Sequence, residues 1–201
     1  MNDAPKPKRG RPKSLDREGT LRIAMQAYWE SDPGDVSVNR ICTLAGVSKP
    51  ALYREFGSED GLTHAVLDHY AEEVLSEITL ILARSETLAE ALAGLIHFAS
   101  QDQKMQTGCV FYKMRGGKHR LGPMTRARVE EIAEGAVAGF EAFLTARRAA
   151  GDWPGAQTPK TAARYLFEQV GLALTQRAAG EPEEDIRAGL TLALTAIAPQ
   201  A

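Results

Sequence analysis

The stretch SVNRICTLAGVSKPALYREFGSEDGL, Ser37 to Leu62, decides how this chain is read. Val38, Ile41 and Ala45 recur at three- and four-residue spacing, which is one face of a short helix. Ser37 suits its N-cap, and Gly46 can close it by entering the left-handed region at little steric cost. Val47 packs inward in this reading. Ser48 then caps a second short helix that opens Lys49-Pro50, with proline tolerated in the first turn, carries Leu52, Tyr53 and Phe56, and stops at Gly57. Two short helices around a tight glycine turn are the pattern of a helix-turn-helix. In that motif the second helix enters the DNA major groove by its N-terminal end, while the first braces against the backbone. Pro50 and Ala51 at the tip permit close approach. Lys49, Tyr53 and Arg54 can reach phosphates or bases, and arginine can pair guanine bidentately. The free N–H groups near Ser37 and Ser48 suit phosphates. The bland alternative is a plain helix pair inside a larger bundle.

Working outward, a helix is expected from about Asp16 to Trp29, with Leu21, Ala24, Met25 and Tyr28 as its apolar stripe. The turn formers from Ser31 to Asp35 end it. After Ser58 a long helix runs through Leu62, Val66, Tyr70, Val74, Ile78 and Leu82. Leu88, Leu92, Leu95, Ile96 and Ala99 mark another amphipathic helix. Residues 104–125 are expected to be mixed, broken by Gly108, Gly116, Gly117, Gly122 and Pro123. Helices over about Thr125–Ala150, Pro159–Ala179 and Pro182–Ala198 complete the chain. Composition agrees. The 201 residues hold 31 Ala and 20 Leu against 8 Ile and 9 Val, with 6% aromatics, so strong helix formers dominate and an all-β fold is disfavoured. The expectation is an all-α chain of about nine helices. Its divisions are a disordered basic arm at 1–14, a helix-turn-helix domain at 15–60, a connecting helix at 61–84 and a helical body at 85–201.

The net charge of −2 hides an asymmetry. Residues 1–54 hold 10 cations and 6 acids, a net of +4, whereas 55–201 hold 14 and 20, a net of −6. A basic head on an acidic body points to an anionic partner for the head. Lys6, Lys8, Arg9, Arg11 and Lys13 crowd the first 13 residues against the single acid Asp3. The segment Arg9-Gly10-Arg11-Pro12-Lys13 resembles the core of an AT-hook. There two arginines flank a glycine too small to clash with minor-groove walls, and narrow A·T grooves favour inserted arginine. The alternative is a solvated tail that adds non-specific affinity only. No apolar run reaches the roughly 18 residues of a membrane span, and Cys42 with Cys109 supplies no disulfide framework. A reducing cytoplasm without membrane attachment is the simplest setting.

Residues 37–62 strongly resemble the DNA-binding signature of the TetR family of bacterial repressors. The matching pieces are Ser37-Val38, Ile41, Ala45-Gly46-Val47-Ser48, Leu52-Tyr53, Phe56, Ser58 and Leu62. The resemblance implies a DNA-binding regulator, most simply a repressor acting on a near-palindromic operator. Arg9, Arg11, Lys13, Ser37, Arg40, Ser48, Lys49, Pro50, Ala51, Tyr53 and Arg54 are its candidate DNA-binding residues. Tyr53 would touch a phosphate, Ser37, Arg40 and Lys49 would hold the backbone, and Pro50, Ala51 and Arg54 would face bases. Leu52 and Phe56 would be core. Two departures stand out. The family usually carries lysine after the serine that opens the fourth helix, where this chain has Glu59-Asp60, and two acids there would repel DNA. The loop at Pro33-Gly34-Asp35 is also longer than usual.

For the body, the resemblance implies a homodimer built from the last two helices, with Leu166, Ala173, Leu190, Ala193 and Leu194 as candidate contacts. The alternative is that these faces only close the monomer core. It also implies an effector pocket for an unidentified small molecule whose binding releases DNA. Candidate lining residues are His97, Phe98, Met105, Cys109, Phe111, Tyr112, Met114, Phe140, Phe143, Trp153 and Tyr165, although aromatics at helical spacing are commonly plain core. Lys113, Arg115, Lys118, Arg120, Arg126 and Arg128 form a cationic run with no acid between Asp102 and Glu130. It reads as a solvated segment, an anion site or an auxiliary DNA contact. An enzyme is disfavoured. His64, His69, His97 and His119 have no metal spacing, no phosphate loop or nucleophile elbow is present, and no cofactor is expected. An architectural DNA-binding protein without an effector is the other rival.

Overall fold

The computed structural model describes residues 15–153 and 155–197. The basic arm, with Arg9, Arg11 and Lys13, lies outside the described residues. Helix α1 spans Arg17–Glu30, and Asp16 caps it by accepting the Gly19 N–H at 3.0 Å. A single 3₁₀ turn at Pro33–Asp35 leads to α2, Val38–Ala45, and α3, Lys49–Phe56. Helix α4, Glu59–Tyr70, continues through a π turn at Ala71–Leu75 into α5, Ser76–Arg84, as one rod. Then come α6 (Leu88–Ser100), α7 (Val110–Gly116), α8 (Pro123–Ala149), α9 (Pro159–Ala178) and α10 (Glu183–Thr195). With α4 and α5 taken as one rod, the described residues form nine helices and no strand.

Helix α7 is a departure from expectation. Its segment looks glycine-broken in sequence, yet the glycines sit at the helix ends and bound it. Gly108 has φ +81° and lies so close to α9 that a Cβ would meet the Ala178 Cβ at 2.5 Å and the Leu174 carbonyl at 2.9 Å. Between the glycines, Val110, Phe111 and Met114 bury completely, and that burial stabilises the helix.

Helix α4 is shared by head and body. Leu62, Val66, Leu67 and Tyr70 are all fully buried, the rod packing against α1 and α3 on one side and α8 on the other. The body is built on the antiparallel pair α8 and α9, with α10 and α6 packed on α9. The core therefore runs unbroken across the division expected near residue 60. No described helix is long and apolar enough to cross a membrane.

Candidate nucleic-acid interface and effector cavity

The α2–α3 unit is set by its caps. The Ser37 hydroxyl accepts the Arg40 N–H at 3.2 Å and that of Ser48 accepts the Ala51 N–H at 3.3 Å, each satisfying an otherwise orphaned helix donor. Gly46 takes φ +65° between them, and the Val47 N–H returns to the Cys42 carbonyl at 3.0 Å. Val38, Ile41 and Leu52 anchor the unit on α1 and α4. With those side chains inward, Ser37, Arg40, Ser48, Lys49, Pro50 and Arg54 are exposed, while Ala51 and Tyr53 are half-buried. The Lys49 ammonium lies 5.5 Å from the centre of the Tyr53 ring, so the pair presents a cation and a phenol together on the free side of α3. Arg40 donates to the Ser31 hydroxyl at 3.3 Å. Phe56 is only half-buried and packs under the Arg17 guanidinium. A groove between the start of α1 and the α2–α3 turn is lined by Leu15, Gly46, Pro50 and Arg54. The described chain thus begins beside the tip of α3.

Asp60 changes the reading of the acidic pair. Its carboxylate accepts the backbone N–H groups of Met124 at 2.9 Å and Thr125 at 3.1 Å, and the Thr125 hydroxyl at 2.7 Å. It therefore caps α8 from another helix, where α8's own cap residue is Gly122, which has no side chain to do so. A Cβ on Gly122 would meet the Asp60 carboxyl at 2.2 Å, so the glycine makes room for the cap. Burial pulls the Asp60 pKa upward, but the bonds from Thr125 and Met124 outweigh it and hold the carboxyl below its ordinary range. The charge of Asp60 thus faces a helix start within the chain. Glu59 is exposed.

The cationic run is likewise engaged within the chain. Arg120 pairs with Asp32 at 3.5 Å and with Asp35, the Lys113 ammonium donates to the Trp29 carbonyl, and Trp29 donates to the Gly108 carbonyl at 2.7 Å. The longer first loop thus docks on the body. Arg128 meets Asp68 at 2.6 Å, Lys118 meets Glu130 at 3.6 Å, and Arg115 grips Glu168 with two bonds of 2.9 and 2.8 Å. Lys118, Arg120 and Arg126 are the exposed members of the run.

A cavity of about 330 Å³ opens among α5, α7, α8 and α9. Of the expected lining residues, Phe111, Tyr112 and Phe140 line it. The others do not. Phe98, Met105, Met114 and Trp153 are core side chains, Trp153 donating to the Ile197 carbonyl at 2.9 Å. His97 is exposed beside Gln101, Phe143 lies under the Arg147 guanidinium, and the Tyr165 hydroxyl donates to the Ala193 carbonyl. Cys109 is buried 3.0 Å from the Tyr70 hydroxyl, and burial pushes its thiol pKa up, which disfavours the reactive thiolate. Sequence reasoning missed Ala71, Leu75, Ile78, Leu82, Ile132, Ala136, Gly139, Phe167 and Val170 in the wall. Helix α8 holds two interior glycines, of which Gly139 lines the cavity and Gly135 does not, so an interior helix glycine alone does not single out the space.

The expected dimer contacts need a correction. Leu166, Ala173, Leu190 and Leu194 are at most 4% exposed, because α9 and α10 turn those faces onto each other and onto α6 and α8. Ala193 is half-buried. The large apolar side chains left outside on this pair are Leu172, 54% exposed, and Leu192, 76% exposed.

Comparison with known proteins agrees with this geometry. Residues 21–66 match the family model of bacterial regulatory proteins of the tetR family. The HTH-type transcriptional repressor ComR of Escherichia coli (strain K12) is 39% identical over 67 residues, 33% of this chain and 32% of that protein. The match thus spans about a third of the curated relative. Solved structures extend the likeness to the whole fold. Reduced E. coli NemR has a TM-score of 0.77 at 20% identity, over 92% of this chain and 98% of that one. A cysteine mutant of the TetR family transcriptional regulator CifR, complexed with 26bp double-strand operator DNA, has a TM-score of 0.78 at 19% identity, over 94% and 100%. A TetR family regulator from Agrobacterium tumefaciens has a TM-score of 0.79 at 17% identity, over 91% and 97%.

Proposed function

We propose that this chain is a TetR-type transcriptional regulator, a repressor that binds a near-palindromic operator as a homodimer and lets go when a small molecule fills its body. The observation that carries the reading is the capped α2–α3 unit, whose outward face offers Lys49, Pro50, Ala51, Tyr53 and Arg54 while Leu52 holds it to the core. In this reading the α3 tip enters the major groove, Arg54 reads a base edge, and Tyr53 with Lys49 meets a phosphate. Ser37, Arg40 and Ser48 hold the backbone on either side. Arg9, Arg11 and Lys13 would read an A·T-rich minor groove, as their AT-hook-like sequence suggests.

The dimer is proposed on the outward faces of α9 and α10, around Leu172 and Leu192, with the small exposed Ala188 and Gly189 permitting close approach. Two-fold symmetry would set the two α3 helices against half-sites about one DNA turn apart, roughly 34 Å. Release follows if the effector favours a form with those helices mis-spaced, since a ligand shifts an equilibrium only by its differential affinity. The test is a pull-down from fragmented genomic DNA followed by footprinting. A discrete protected site with two-fold symmetry is expected; capture without any preferred site overturns the reading.

A further inference from the structure

We propose that the cavity among α5, α7, α8 and α9 takes an uncharged, largely apolar molecule, bicyclic or of similar bulk, and rejects ionic ones; its regulatory meaning rests on the reading above. Among the described residues, no Asp, Glu, Lys, Arg or His lines this space. Its hydroxyls are largely committed: Tyr112 donates to the Phe167 carbonyl at 2.8 Å and Ser76 to the Glu72 carbonyl at 2.7 Å. Just beyond Phe167, Arg115 stacks at 4.9 Å on the ring and closes bidentately on Glu168, so neither charge is free for a ligand. A charge carried inside would leave water with only the Thr79 hydroxyl, exposed at the rim, to receive it, whereas an aromatic or alicyclic body gains contact with Phe111, Tyr112, Phe140 and Phe167. A volume of about 330 Å³ lies at the small end of ligand cavities, roughly 300–1,000 Å³.

The wall also explains why occupancy would matter. Ala71 and Leu75, the first and last residues of the π turn, both face the cavity. A π turn holds one residue more than an α turn needs, and such bulges recur at functional sites. Here it joins α5 to α4, the helix packed against α1 and α3. A guest pressed against Ala71 and Leu75 therefore touches the rod that positions the DNA-reading head.

The test titrates the full chain with N-phenyl-1-naphthylamine, a neutral fluorescent probe. 1-Anilinonaphthalene-8-sulfonate is titrated beside it, sharing the same frame but carrying an anion. Two cavity-filling variants are compared with the wild type, Gly139→Leu and Ala136→Phe. At Gly139 an added Cβ meets nothing within 4 Å, and leucine favours helix, so this variant is expected to fold. The neutral probe is expected to saturate one site per chain, at least tenfold more tightly than the sulfonate. Gly139→Leu is expected to weaken it at least tenfold. Equal binding of the two probes, or neutral-probe binding indifferent to both fillings, overturns the proposal. Operator binding is measured on the same samples. A chain that binds operator but not the neutral probe overturns the cavity proposal alone. A chain that takes the probe and binds no DNA selectively leaves that proposal standing and overturns the regulator reading.

Discussion

Replacing Asp60 with alanine removes a cap that belongs to a helix 64 positions further along the chain. Three bonds converge on the carboxylate, and they do not weigh equally. Met124 is 51% exposed, so its N–H returns to water at little cost. Thr125 is fully buried, and its N–H is left without its acceptor, while its hydroxyl keeps the Asp60 carbonyl at 3.2 Å. Losing a helix cap costs about 1 kcal/mol, and losing a charge-assisted bond to a buried donor costs about 1.5–3 kcal/mol. The two overlap, so about 2–3 kcal/mol of unfolding free energy is expected to go, read as a lower urea midpoint at neutral pH. Asp60→Asn, which keeps an acceptor but not the charge, should fall between. The sign in acid follows from the lowered pKa. The charge's contribution is complete above the ordinary value of 3.8 and is lost as pH falls through the lower folded value, so in acid the wild type should approach Asp60→Asn. A loss below about 0.5 kcal/mol at neutral pH, on a scale where a helix cap is worth about 1 kcal/mol, would refute the capping argument. So would an unchanged stability with tighter operator binding, the outcome if Asp60 merely repelled DNA.

Three other predictions concern binding and assembly. Lys49→Ala should weaken all duplexes alike and reduce the slope of log K against log salt by about 0.9, whereas Arg54→Ala should relax selectivity at one base pair by about 1–3 kcal/mol. Removing residues 1–13 takes away five cations and should lower that slope by up to about 4.5; an unchanged slope removes the arm from the interface. Leu172→Asp with Leu192→Asp should give a folded monomer by sedimentation at micromolar concentration, while Leu190→Asp, which buries a charge in the chain's own core, should unfold it.

The head was legible because its signals are local. Ser37, Gly46, Ser48 and Gly57 each act within a few residues of themselves, and the structure keeps each at a helix end. The body's long-range partners were not legible. Periodicity marks Leu166, Leu190 and Leu194 as a buried face, but not whether a neighbouring helix or a second copy covers it. Asp60 reads as a surface acid until α8 arrives from far along the chain with a glycine for a cap. Beyond Phe111, Tyr112 and Phe140, the cavity wall escaped for the opposite reason. Large apolar side chains draw attention, but Phe98, Met105 and Met114 fill space, while Ala136 and Gly139 leave it open.

The central claim is that the α2–α3 unit reads one DNA sequence twice. Selection from a random duplex library with the full chain tests it most directly, run beside Arg54→Ala. The account predicts a single short consensus with two-fold symmetry, degraded at symmetric positions by the variant. Enrichment without a consensus, or a consensus that Arg54→Ala leaves untouched, would contradict it.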